Sequence, residues 1–462
     1  MHNDYCAIDF GTSNSAIAIP VAAAMANAGN HALRPLSSVP LQNGSGELVH
    51  QMRLVKLEGK AHTMPTAIFY SSEDPSILFG RAAIAAYVDG ADGRLLRSIK
   101  SILGTDLMTQ TTDVGHGIAV SYIDVVVAYL KQLKNLAETA HGGTLNRVVI
   151  GRPARFIDDD DKRDQQAEDA LKAAAIAAGF IEVRFQFEPI AAALDYESRI
   201  TATETVLVAD IGGGTSDFSV VRVGGESNKQ NREADILANV GVHIAGTDFD
   251  QAISIAAIMP SLGLGSIGPA SQYHRRVPSK IYFDLATWHL INTVYSHNRA
   301  IELREMRVMY ADKVCYARLE AVVKKRLGHR LAAKAEAAKI DVAQHGSAII
   351  ALDEIEENLN ATFDAARQAE ALSLRVNNIV EVAVAAARNA KLQPDEINTL
   401  YFTGGSTGLI FLTEQIAAKF PSAKIAAGDR FASVVAGLGI EAARQYGTAY
   451  KETSKTTVRA QL

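Results

Sequence analysis

Residues 5–19 read YCAIDFGTSNSAIAI, and residues 206–221 read VLVADIGGGTSDFSVV. Each stretch begins as an apolar strand and reaches an aspartate, Asp9 in the first and Asp210 in the second. One apolar residue, a turn rich in glycine and hydroxyl residues, and a second apolar strand follow. The two copies lie roughly 200 residues apart, far too long a period for a solenoid unit. The echo therefore predicts two copies of one large α/β lobe.

The rest of the chain alternates the periods of strand and helix. A helical pattern runs over 125–139 and stops near Gly142 and Gly143; a strand over 147–151 leads into Pro153. The acidic residues 158–161 open a helix that ends at Gly179, since negative charge favours a helix start and glycine a helix end. A strand over 183–187 feeds a helix beginning at Glu188 and Pro189. Long helical patterns are expected over 311–339 and 359–391, then a strand over 400–402 and a helix over 409–420. The segments 27–60 and 261–280 carry weaker patterns and read as insertions or surface loops.

Composition narrows the class. The chain has 462 residues with 48% hydrophobic and 21% charged, the balance of a folded globular protein. Its formal charge of −5 argues against nucleic acid held by bulk charge. Two cysteines, Cys6 and Cys315, make neither a disulfide framework nor a zinc site. Residues 16–26 are too short an apolar run to cross a bilayer, and the start lacks a basic leader, so a cytoplasmic protein is expected.

The two turns carry the chemistry. Glycine-rich turns expose backbone amides that can cradle phosphate oxygens, here at Gly11, Thr12, Ser13 and Asn14 and at Gly212, Gly213, Gly214 and Thr215. Two aspartates beside a polyphosphate suit Mg2+, which keeps several waters and touches carboxylates through them. Either turn alone reads more readily as a plain hairpin with glycines at positive φ. Their duplication, with Asp at the same offset, favours a phosphate clamp.

Several decoys fall away. The GxGxxG pattern at 263–268 follows Pro260 rather than a strand. The GxSxG pattern at 404–408 has no histidine after Ser406 to complete a triad. The DDDDK run at 158–162 is a helix start, and no Walker A sequence is present. Trp288 is the single tryptophan and reads as packing. Taken alone, Lys100 is a surface lysine, Glu188 a helix-start carboxylate and Asp217 a strand residue.

With these segments in hand, the chain resembles the actin-like ATPase superfamily, and within it the seventy-kilodalton heat-shock chaperones of the DnaK type. AIDFGTSNS resembles the first phosphate loop, RSIKSILG the segment of the catalytic lysine, and VVIGRPARF the strand before the switch proline, here Pro153. FEPIAAALDYE resembles the segment carrying the family's glutamate, VADIGGGTSDFSVV the second phosphate loop, and VHIAGTDFD the loop before the next helix. LAAKAEAAKIDVA resembles the adenine-side helix and YFTGGSTGL the third nucleotide loop. The ordered set spans residues 4–439.

The resemblance implies a ribonuclease H-like, actin-like fold: two duplicated α/β lobes, I over 1–203 with a returning helix at about 430–445, and II over 204–428, with nucleotide in the cleft. It implies ATP or ADP with Mg2+ and a slow ATPase activity. Asp9 and Asp210 would hold Mg2+ through water, Lys100 would neutralise γ-phosphate charge, and Glu188 would orient water. Thr12 and Thr215 would hold phosphates. Gly246, Glu336, Lys339, Gly404, Gly405 and Ser406 would line the nucleotide site, and Asp217 would place a monovalent cation such as K+. Three departures bear on adenine and the phosphates: Gly408 stands for an arginine, Ala343 for a serine, and Ala245 for one of two adjacent glycines. Residues 440–462 show neither an interdomain linker nor a peptide-binding domain, which makes the pattern most like the truncated YegD type. The expected role is a monomeric, chaperone-like switch for a protein client or cochaperone. A small-molecule kinase on the same fold and an actin-like filament protein stay open as alternatives; the lysine segment and the EPIAAALDYE motif favour the switch.

Overall fold

A computed structural model describes residues 3–21, 51–157, 160–197, 200, 202–224, 232–426 and 432–447. Its frame is a pair of sheets. The first contains β1 (Tyr5–Phe10), β2 (Asn14–Pro20), β3 (Met52–Leu54), β4 (Arg147–Arg152) and β5 (Glu182–Phe187), in the order β5-β4-β1-β2-β3. The second contains β6 (Glu204–Ile211), β7 (Ser216–Val223), β8 (Ile236–Val242), β9 (Thr399–Thr403) and β10 (Lys424–Ala426), in the order β10-β9-β6-β7-β8. In each sheet the first strand runs antiparallel to the second and parallel to the fourth. The two sheets share one topology, so the echo between residues 5–19 and 206–221 is the sequence trace of a duplicated fold.

Alternation along the two leading strands explains their near-continuous apolar character. Cys6, Ile8 and Phe10 of β1 enter one core, while Tyr5 and Ala7 enter another. Leu207, Ala209 and Ile211 of β6 pack into the second sheet's own core, while Val206 and Val208 join Tyr5 and Ala7. A strand buried on both faces needs apolar residues at both parities. The shared core between the sheets is filled by the helices Glu188–Glu197 and Ser433–Tyr446, through Ile190, Leu194, Val435 and Leu438. The helices cross closely at Gly437, where a Cβ would stand 1.8 Å from the carbonyl oxygen of Ala191. The returning helix packs on the first sheet, and the Glu188–Glu197 helix, packed against it, reaches both sheets.

Period-two geometry then places the acids. Asp9 has the parity of Tyr5 and Ala7, and Asp210 that of Val206 and Val208. Both aspartates therefore leave their strand ends on the face that looks between the sheets.

Most expected elements are present: helices Tyr122–His141, Asp161–Ala177 and Ile410–Ala417 and strands β4, β5 and β9. Asp160 caps the second helix by accepting from Arg163 N at 3.0 Å; residues 158–159 lie outside the described residues. Three expectations are corrected. The 311–339 pattern is two helices, Lys313–Lys324 and Gly328–His345, broken where Arg326 adopts φ 54°. Gly328 then packs on Tyr295, whose hydroxyl accepts from its amide at 2.8 Å. The 359–391 pattern begins as a strand, Asn360–Asp364, paired with Ser347–Ala351; Ala361 and Phe363 are buried between exposed neighbours, a period of two. The helix there is Ala365–Asn389, capped by Asp364. Of the 27–60 segment, Met52–Leu54 is a strand of the first sheet, and residues 27–50 lie outside the described residues. The 261–280 segment is a loop with short 3-10 turns.

Candidate nucleotide site

Lys100 is not a surface lysine. It sits in the 3-10 turn Ile99–Ile102, is 7% exposed, and donates from Nζ to Glu188 Oε1 at 2.6 Å. The two residues are 88 positions apart and come from separate elements, so the pair is a tertiary construction. Glu188 opens its helix beside Gly151 of β4, where a Cβ would approach the carboxylate at 3.3 Å. Glycine there leaves room for the acid.

Asp9 and Asp210 share the field of this pair. Burial pushes the Asp9 carboxyl up to about 7; Glu188 adds to the rise and Lys100 opposes it. Asp210 is also pushed well up, by burial first and then by Glu188, Asp217 and Asp9, again against Lys100. Four acids thus converge on one lysine. That is an unfavourable charge arrangement for a purely structural cluster.

The turns are held by one another. Gly212 N donates to Thr215 O at 3.0 Å, and Thr215 Oγ1 donates to Asp217 Oδ2 at 2.8 Å. Asp217 stands directly across from Asp210 in the β6–β7 register. The first turn is fixed by Thr66, whose amide donates to Ser13 O at 2.9 Å and whose hydroxyl donates to Gly11 O at 2.7 Å. The two turns meet: a Cβ on Gly213 would fall 2.2 Å from Ser13 Oγ. Gly214 has open space beside it.

The remaining expected residues gather on the second turn. Ser406 Oγ donates to Gly212 O at 2.7 Å, and Gly246 N donates to the same oxygen at 3.2 Å. Gly404, at φ 86°, presses on the Ile211 carbonyl, where a Cβ would stand 2.4 Å away; Gly405 follows it into the turn 405–408. Lys339 pairs with Asp250 at 2.7 Å and donates to Gly246 O at 3.3 Å. Glu336 is exposed one helical turn before Lys339, and its charge reaches Asp250 and Arg97. Burial pushes Asp250 up to about 6, with Lys339 opposing. Gly408 is half-exposed beside this loop, and Thr12 and Asn14 complete the first turn.

Sequence reading missed Thr66, Thr247, Asp250 and Arg97. Thr247 binds Gly213 O through both amide and hydroxyl, at 2.8 and 2.9 Å. Thr247 and Asp250 lie inside the quoted VHIAGTDFD motif, which was a usable signal. Arg97 opens the quoted RSIKSILG segment, whereas Thr66 has no local signature.

The donor set fits a magnesium–nucleotide complex. Its acids offer hard oxygens in charge excess, which a cation relieves, and the glycine turns leave Cα atoms where side chains would collide. Among the described residues no group of three acid, histidine or cysteine side chains is poised to chelate a metal directly. A cation here would complete its shell with water and phosphate oxygens. Among the same residues, no helix is long and apolar enough to cross a membrane.

Comparison with known proteins adds to the geometry. Residues 54–258 match the family model described as Hsp70 protein. The chain is 34% identical over 248 residues to the chaperone protein DnaK of Thermosipho melanesiensis, covering 53% of this chain and 34% of that protein. It is 34% identical over 196 residues to DnaK of Thermotoga maritima, covering 42% and 30%. It is 31% identical over 275 residues to the HscA chaperone homolog of Pseudomonas putida, covering 57% and 39%. The chain thus spans about a third of the length of the curated relatives it matches. The duplicated sheets and the clamp of paired turns agree with these matches: over residues 54–258 the chain is similar to the Hsp70 family, and its matched relatives are DnaK and HscA chaperones.

Proposed function

We propose that the protein is a chaperone-type ATPase switch. It binds MgATP between lobe I (1–203, completed by about 430–445) and lobe II (204–428), hydrolyses it slowly, and transmits lobe closure to a protein client or cochaperone. The observation that carries this reading is the buried Lys100–Glu188 pair, set among Asp9, Asp210 and Asp217 where the two glycine turns touch. Bound Mg2+ would supply charge neutralisation and in-line alignment of the phosphates. The amides of Gly11, Thr12 and Ser13 and of Gly213, Gly214 and Thr215 bind phosphate oxygens. Asp9 and Asp210 would hold the divalent cation through water, and Asp217 with Thr215 would hold a monovalent cation such as K+.

Lys100 has two calls on its ammonium group. In the free protein Glu188 holds it; beside nucleotide it stabilises charge on the terminal phosphate. Glu188, released in proportion, accepts a proton from the attacking water or holds that water in line. Glu336 and Lys339 lie on the nucleoside side, and Gly404, Gly405 and Ser406 support the second turn from below. The fold alone would serve a sugar kinase as well, but a kinase would need an acid dedicated to a substrate hydroxyl. The buried acids here face the clamp.

The test is ATP turnover by purified protein with and without Mg2+. Lys100→Ala should slow turnover by about a hundredfold, near 2.7 kcal/mol of barrier, while nucleotide binding is largely retained. Full turnover in that variant would sink the assignment.

A further inference from the structure

We infer that Arg97 is a positioning residue, which holds the catalytic-lysine segment by stacking on Trp288 across the mouth of the cleft. The inference rests on the ATPase reading above and adds a part to it.

Arg97 ends the strand Gly93–Arg97, in the small three-stranded sheet that grows from the first lobe. Its guanidinium lies 4.4 Å from the ring centroid of Trp288, which follows the helix Lys280–Ala286 of the second lobe. Trp288 is held in turn. The His329 ring meets it edge-on at 4.8 Å and meets Tyr87, from the first lobe's helix Gly80–Val88, at the same distance. Tyr87 also accepts from Asn292 Nδ2 at 2.5 Å, and Arg330 donates to Val88 O at 3.2 Å. This is a continuous bridge between the lobes, with His329 only 7% exposed at its centre. Burial disfavours the Arg97 charge, and Glu336 and Asp250 across the cleft offset part of that cost.

The bridge reaches the chemistry through a short, stiff connection. Ser98 adopts φ 56°, its amide is tied to Thr66 O at 3.1 Å, and its carbonyl accepts from Ser101 Oγ at 2.8 Å. That turn joins Arg97 directly to the 3-10 turn of Lys100. Thr66, the other anchor, is the residue that fixes the first phosphate turn. A segment gripped by Trp288 at one end and Glu188 at the other has little freedom to shift. Release of the Arg97 end frees Lys100 to leave the terminal phosphate. A cation over tryptophan is the strongest version of this contact, and Lys retains part of it.

The experiment is a double-mutant cycle on single-turnover ATP hydrolysis at saturating MgATP, with Arg97→Ala, Trp288→Leu and the pair. Each single variant should slow hydrolysis about tenfold while nucleotide affinity stays within about twofold. The double variant should be no slower than the slower single, because both remove one contact. Arg97→Lys and Trp288→Phe keep a cation over a ring and should recover most of the rate, which also controls for folding. Wild-type rates in Arg97→Ala, or losses that multiply in the pair, would overturn the inference. The chain's single tryptophan supplies an independent readout: nucleotide should change Trp288 emission in the wild type and much less in Arg97→Ala. A wild type that never turns over ATP strikes the parent reading instead, and an emission unaltered by nucleotide in both proteins would then remove the bridge as well.

Discussion

Asp9→Asn should make the empty protein more stable and the nucleotide-bound protein unattainable. The carboxyl of Asp9 ionises near 3.8 in an open chain and at about 7 in the folded protein, because burial and Glu188 disfavour its charge. An acid whose folded value is raised is harder to ionise in the native state. Its contribution to folding is therefore most favourable below the open-chain value and is lost as pH climbs from about 4 to about 7. A gap of about three pH units at 1.36 kcal/mol each sets a ceiling of about 4 kcal/mol at pH 8. The charge is shared with Glu188 and Asp210, and Lys100 offsets part of it, so about 2 kcal/mol is the expected size. Asparagine keeps the shape and removes the ionisation. Thermal unfolding of both proteins without nucleotide should show a small gain for Asp9→Asn at pH 5 and a larger one at pH 8, with a plateau above pH 7. Adding MgADP should raise the wild-type midpoint and leave the variant unmoved. A gain that is absent at pH 8, or that shrinks as pH rises, would refute the reasoning from buried charge.

Other expectations address separate links. Gly437→Ala should destabilise the fold by about 3 kcal/mol or more, since its Cβ would enter the Ala191 carbonyl; urea unfolding checks this. Gly408→Arg should tighten ATP more than inorganic triphosphate, by about 0.5–2 kcal/mol from stacking on the base, measured by calorimetry; Gly408 has no positive φ, so arginine fits the backbone. Saturating MgATP should protect the protein from limited proteolysis by drawing both turns onto one ligand, and identical digestion patterns would argue against closure.

The duplicated frame was legible because it lies in local pattern. Residues 5–19 and 206–221 each carry strand, aspartate, turn and strand without a gap, so the antiparallel pair that leads each sheet follows from adjacent residues. The helix that begins at Glu188 and the strand before Pro153 were legible for the same reason. What local pattern could not give was pairing over distance. Lys100 has the neighbours of any exposed lysine, and only Glu188, brought in through β5, makes it a buried ion pair. Trp288 read as packing because its partner Arg97 is set beside it by the crossing of two lobes. The helical misreading of 359–391 is a case of competing periods: Ala361 and Phe363 fit either a helix face or a strand. The neighbouring Ser347–Ala351 decides for the strand by offering backbone bonds.

The charge balance of the cleft explains why the two halves of the site depend on each other. Asp9 reaches it from the first sheet, Asp210 and Asp217 reach it from the second, and Glu188 enters from the helix between them, against one lysine. Burial and the neighbouring acids raise the cost of ionising Asp9 and Asp210, so the empty cleft is electrostatically uncomfortable whenever the sheets approach. A polyphosphate alone would make this worse, because it adds negative charge beside negative charge. Only a ligand that carries cation and phosphate together satisfies both the carboxylates and the amides of the two turns. The amides come from both lobes, and Ser13 already rests against Gly213, so such a ligand is held best when the lobes are close. Under the function proposed above, closure and cation–phosphate binding would be one event, biased by the same buried charges. That coupling is what a nucleotide switch requires: an element with two arrangements, and a ligand with different affinity for each.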